Sequence, residues 1–239
     1  MSIQTTTISY QSDVTFEGYL AWNDEIKGPV PGVIISHAWG GLGEFEKGKA
    51  RELAKLGYAG FCLDLYGQGV CGSGPEENAK LMQPFLDDRA MLQRRMEIAL
   101  QTIREQPPVD AERVAAVGYC FGGLCVLDLA RSGADLSGVV SFHGLFHPPD
   151  HTRGNKIQAK VLALHGWDDP MVTPELVVAL GTELSKAGAD WQIHAYGHTL
   201  HAFTNPAAQS PESGTQYNDD ADRRSWQSLL NFLEEIFDY

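Results

Sequence analysis

The sequence predicts an α/β fold: a mostly parallel sheet of about eight strands with helices on both faces. Three observations predict it. Short apolar runs alternate with longer helix-like segments along all 239 residues. The run GVIIS at 32–36 is apolar without interruption, which is the pattern of a strand covered on both faces. Long loops follow strand ends, after Leu65, Gly144 and Phe203, where open α/β sheets place their ligand crevice.

The elements follow in order. Residues 5–10 (TTTISY) and 14–22 (VTFEGYLAW) read as two antiparallel strands, and GVIIS as a third that ends at His37. From Glu44 to Leu56 the apolar positions Phe45, Leu53 and Leu56 suggest a helix, with Gly57 as its C-terminal cap. A strand at 58–65 (YAGFCLDL) leads into the glycine-rich loop YGQGVCGSGP. Residues 76–105 are helical, with a break expected near Pro84, because proline cannot donate the helix hydrogen bond. RVAAVGY (113–119) is a strand and GGLCVLDLARS (122–132) a helix. LSGVVSFHG (136–144) and AKVLALHG (159–166) are strands. Residues 173–188 form a helix with Thr173 as N-cap and Pro174 at its first position. DWQIHAY (190–196) is the last strand. Residues 219–237 form an amphipathic helix with Trp226, Leu229, Leu230, Leu233 and Phe237 on one side. No repeat or linker divides the chain, so one domain over 1–239 is expected.

Eighteen basic against 31 acidic residues give a net charge of −13, which repels nucleic acid and anionic lipid. No apolar run is long enough to span a bilayer, and the N-terminus lacks a basic segment followed by an apolar core. A cytoplasmic protein is expected. The four cysteines, Cys62, Cys71, Cys120 and Cys125, form no C-x-x-C pair and read as reduced thiols.

One of them stands apart. Gly118-Tyr119-Cys120-Phe121-Gly122 has the form G-x-C-x-G between a strand and a helix. In the serine version of this motif the nucleophile sits on a sharp, strained turn, and crowding excludes side chains two residues to either side. A helix N-terminus at that point favours a thiolate and offers free N–H groups to an oxyanion. The competing reading of any free cysteine is a small buried hydrophobe, and Cys62 and Cys125 are read that way. A nucleophile needs a base, and the base an orienting acid. Asp168 and Asp169 follow one predicted strand, His198 and His201 follow the last, and the order nucleophile–acid–histidine suits either pair.

Taken together, SHAWGG, GYCFGG, HGWDDPMV and HAFTNP, in that order, resemble the dienelactone hydrolase family of α/β-hydrolases, over nearly the whole chain. The resemblance implies the α/β-hydrolase fold and a Cys120–Asp169–His201 triad. The family pattern G-x-x-D-x-x-V matches Gly166, Asp169 and Val172 and selects Asp169; His201-Ala202-Phe203 selects His201. The oxyanion hole is then the backbone N–H of Phe121, the residue after the nucleophile, with that of Trp39. Ala38, His143, His198 and Phe203 are expected at the substrate pocket. The chain departs from the best-known members at two positions: Ala38 stands where they carry a glutamate that meets the resting thiol, and Asn205 where some carry a substrate-binding arginine. His201 is left as the proton acceptor.

The implied activity is hydrolysis of a small lactone or activated ester through a thioester, by a monomer with no cofactor. His143, His147 and His151 are spaced as metal ligands on a helix would be, but Gly144, Pro148 and Pro149 interrupt any such helix, and no metal site is expected. The rival classes are a non-catalytic ligand-binding protein of the same fold and a thiol redox sensor with Cys125 or Cys71 as resolving thiol.

Overall fold

The computed structural model describes residues 2–237. The chain divides into two compact units, residues 1–117 and 118–239. In the first, β1 (Ile3–Gln11) and β2 (Thr15–Asn23) pair antiparallel in register from Ile3 opposite Asn23 to Gln11 opposite Thr15. β3 (Val30–Ser36) is buried at every residue, as its unbroken apolar run requires. It pairs in parallel with β4 (Ala59–Cys62), which pairs antiparallel with β2. Between them lies α1 (Glu44–Lys55), closed by Gly57 at φ +96, a left-handed position. The helix lies very close to β4: a Cβ on Gly60 would stand 2.7 Å from Ala50 Cα.

The long helical stretch is interrupted at Asp88 rather than at Pro84. Proline occupies the last turn of α2 (Pro75–Asp87), and Asp88 leaves helical geometry to cap α3 (Arg89–Arg104), accepting the Met91 N–H at 2.8 Å. A proline near a helix end forfeits one hydrogen bond, whereas an aspartate cap satisfies an orphaned donor of the next helix, and the break moves to the cap. β5 (Val109–Tyr119) follows.

The second unit holds α4 (Phe121–Arg131), β6 (Gly138–Phe142), β7 (Lys160–Gly166), α5 (Pro174–Ala187), β8 (Trp191–Tyr196) and α6 (Asp219–Phe237). β6, β7 and β8 run in parallel, and the eight strands take the order β1-β2-β4-β3-β5-β6-β7-β8. This is an α/β fold with a mostly parallel sheet, as expected. α4 and α6 pack on β6, and α5 on β8.

Thr173 stands at the N-cap of α5 in extended geometry with Pro174 at the first position, as expected, although its side chain makes no capping hydrogen bond. One expectation needs correction. On α6, Trp226 and Leu230 are only half-buried, while Phe232 is buried with Leu229, Leu233 and Phe237. Phe232 lies over Gly138, whose missing side chain makes the room: a Cβ there would approach the ring to 2.9 Å. The long loop after Phe203 carries a short hairpin of β9 (Gln209–Ser210) and β10 (Thr215–Gln216).

Candidate active site

α4 begins immediately after Cys120, which takes φ +56 and ψ −116. A side-chain-bearing residue at positive φ costs of order 1–3 kcal/mol, and the surroundings must hold it there. The flanking glycines explain how. A Cβ on Gly118 would overlap the Gly122 carbonyl, and one on Gly123 would stand 2.7 Å from both Gly144 Cα and Ser141 Oγ. Backbone meets backbone on both sides of the bend, and only hydrogen fits. The Cys120 side chain is partly exposed, at the N-terminus of an eleven-residue helix.

Asp169 and His201 come together behind it. His201 Nδ1 donates to Asp169 Oδ2 at 2.7 Å; the carboxylate is fully buried and the imidazole 2% exposed. Asp169 Oδ1 accepts the Met171 N–H at 2.8 Å, which fixes the carboxylate plane. The loops bearing the acid and the histidine are in direct contact. The Asp168 N–H bonds the Thr199 carbonyl at 3.0 Å, and Gly166 must be glycine because the Leu200 carbonyl would lie 2.7 Å from any Cβ there. The β9–β10 hairpin braces the histidine: the His201 N–H bonds Gly214 O, and the His201 carbonyl accepts from Gln216 N–H, both at 3.0 Å.

Burial alone would pull the His201 pKa down. The negative charge of Cys120, the hydrogen bond that His201 donates to Asp169, and the charge of Asp169 outweigh it and push the value up to about 10.

Asp168 and His198, the other members of the two pairs, stand 3.8 Å apart in solvent, with the His198 side chain fully exposed. His198 therefore stands apart from the buried His201–Asp169 pair. Phe203 is fully buried and packs edge-on against His143 and Tyr196, in the core. His143 is buried beneath the bend, its ring 5.1 Å from that of His201. His147 and His151 are exposed, and among the described residues no group of three metal-ligating side chains exists. Asn205 is exposed and takes the Ala207 N–H on its side chain, a turn-forming role.

Ala38 and Trp39 belong to the first unit. Their loop is pinned by polar contacts that sequence reasoning missed: the Ala38 N–H to Glu46 Oε1 (3.3 Å), the Tyr66 hydroxyl to the Trp39 carbonyl (2.7 Å), and His37, which donates from Nδ1 to Ala38 O (2.7 Å) and accepts the Leu65 N–H at Nε2 (3.2 Å). Burial lowers the His37 pKa and keeps that ring neutral. Thr204, which meets the His143 ring, was also missed. Its only sequence signal is its place three residues after His201.

Comparison with known proteins gives one family. The model of the dienelactone hydrolase family matches residues 16–237. A solved dienelactone hydrolase-like promiscuous phosphotriesterase from metagenomic libraries is 35% identical and covers 99% of each chain, with a TM-score of 0.93. A carboxymethylenebutenolidase of Pseudomonas putida is 27% identical over 190 residues, 76% of this chain and 78% of its own. An uncharacterized protein of Caenorhabditis elegans is 34% identical over 154 residues, 63% of this chain and 98% of its own.

Proposed function

Because the chain belongs to the dienelactone hydrolase family, we propose that it hydrolyses small lactones or activated carboxylic esters through Cys120, Asp169 and His201. One observation carries this reading: a buried histidine, held at Nδ1 by a buried carboxylate, has its proton stabilised by the charge of a cysteine presented on a strained strand-to-helix bend.

The resting site is a thiolate–imidazolium pair. The sulfur attacks the carbonyl carbon, and the π electrons move to oxygen. The Phe121 N–H, in the first turn of α4, meets that oxyanion, and the resemblance supplies the Trp39 N–H as the second donor. When the intermediate collapses, the alkoxide leaves with the proton from His201 Nε2, and a thioester remains. Nε2 then takes a proton from water, whose oxygen attacks the thioester and expels the thiolate. A thiolate is a better leaving group than an amide nitrogen, so the intermediate from a peptide would revert, and esters are the suited class. With Ala38 in place of a glutamate and Asn205 in place of an arginine, dienelactone itself loses both side chains that would serve it. The carboxymethylenebutenolidase relative supports the lactone class.

The test is turnover of p-nitrophenyl acetate and a panel of lactones by wild type and by Cys120→Ala. Wild type should turn over and form an acyl-enzyme with added mass on Cys120, and the alanine variant should lose at least ~10³-fold in kcat/KM. Equal rates in both would end the proposal. A second reading, phosphotriester cleavage by the same sulfur, is favoured by the 35% identity to the promiscuous phosphotriesterase. Including paraoxon in the panel decides it.

A further inference from the structure

His143 touches both halves of the proposed catalytic pair and takes no part in the steps above. Its Nδ1 accepts the Cys120 backbone N–H at 3.1 Å, a donor shared with the Phe142 carbonyl at 3.0 Å. Since Nδ1 accepts, the proton of the neutral ring lies on Nε2, which donates to Thr204 Oγ1 at 2.8 Å. Thr204 is 2% exposed and stands three residues beyond His201. One imidazole therefore spans from the backbone of the nucleophile to the loop of the base, with its ring centroid 5.1 Å from that of His201 and the two rings edge to face.

The local backbone shows that this placement is enforced. Five non-glycine residues of the described chain have positive φ, and three are Cys120, His143 and Ala202. The nucleophile, the bridging ring and the residue next to the base are each held in a conformation that isolated side-chain-bearing residues avoid. The ring is 2% exposed, and its own N–H is anchored to Leu164 O at 2.8 Å. Burial, then the charge of His201 and that of His165, keep His143 uncharged; these are the titratable groups that act on it. A charged ring would carry a proton on Nδ1 and present it to the Cys120 N–H, breaking the bridge.

We propose that His143 is a positioning residue: as a neutral Nε2–H imidazole it clamps the Cys120 bend to the Thr204 segment and so sets the distance between the Cys120 sulfur and the His201 ring. This rests on the triad reading given above.

Thr204→Val removes the acceptor without changing shape, and His143→Phe removes both contacts while retaining the ring. His143→Asn restores an acceptor near the Nδ1 position only. The first measurement is the rate of Cys120 alkylation by iodoacetamide across pH, which needs no substrate turnover. Loosening the pair should move its acid limb to higher pH in Thr204→Val and His143→Phe, with His143→Asn between them and wild type. The second is p-nitrophenyl acetate kinetics, in which kcat should fall by ~10- to 100-fold with KM little changed. Circular dichroism melting identifies any variant that does not fold; if His143→Phe is lost in this way, Thr204→Val and His143→Asn carry the test. An alkylation profile and a kcat unchanged in folded Thr204→Val and His143→Phe overturn the proposal. Should wild type lack esterase activity while the alkylation profile still shifts, the hydrolase reading fails and the clamp stands.

Discussion

At the scale of the residue, the Cys120–His201 pair makes a titration experiment decisive. The His201 pKa rises from 6.5 to about 10 against its own burial, and the largest upward cause is the charge of Cys120. A group whose folded pKa is raised gives stability that is fully present below 6.5 and is lost as pH climbs through about 10. In the proposed mechanism the proton that leaves in that window is the one the departing alkoxide takes, so turnover of esters with poor leaving groups should fall on the same alkaline limb. Cys120→Ala removes that charge and leaves the hydrogen bond from His201 to Asp169 in place. Its His201 should then titrate well below 10 by NMR of the ring protons, the remaining support coming from Asp169 alone. A ring that still titrates near 10 without the sulfur would show that Asp169, not the thiolate, holds the proton.

At the scale of the element, the strand-to-helix bend is decided by missing side chains. Gly118→Ala would drive a Cβ into the Gly122 carbonyl, and neither backbone segment can retreat without unmaking β5 or α4. A loss of at least ~3 kcal/mol in urea unfolding is expected. Gly188 is the contrast. It lies at φ +75 at the end of α5 with nothing near a built Cβ, so Gly188→Ala should cost only the strain of the left-handed position, ~1 kcal/mol. Equal losses would mean that conformation, not crowding, selects glycine at the bend. Such local features were legible in advance: the G-x-C-x-G pattern, the strand before it and the Gly57 stop are each written within a few residues. Features set by distant partners were not. Phe232 turns inward on α6 because Gly138, 94 positions earlier, leaves a gap for it. Asp88 rather than Pro84 ends α2 because capping the next helix outweighs one lost hydrogen bond. The bridge from His143 to Thr204 joins residues 61 apart and has no periodicity to betray it.

At the scale of the whole molecule, the fold buries histidines as neutral groups, and that governs its response to acid. His37, His143, His165 and His194 all have pKa values lowered from 6.5, with burial the leading cause in each. A lowered histidine opposes the His201 effect: the unfolded chain takes up protons that the folded chain refuses. Its stability contribution is present above 6.5 and drains away as pH falls toward each folded value. With several such groups, and only a small opposing gain from His201, whose contribution is nearly complete by pH 6.5, the melting temperature should fall steadily from pH 7 to pH 5. His165 is the cleanest probe. It is fully buried, and neither ring nitrogen meets a protein hydrogen-bond partner among the described residues, so leucine of similar volume replaces it without breaking a protein hydrogen bond. His165→Leu should melt higher than wild type at pH 5, and by a smaller margin at pH 8, because one buried group that must be protonated on unfolding has been removed. Parallel melting curves for the two proteins across this range would show that the burial of His165 does not contribute to acid sensitivity, leaving His37, His143 and His194 to carry it.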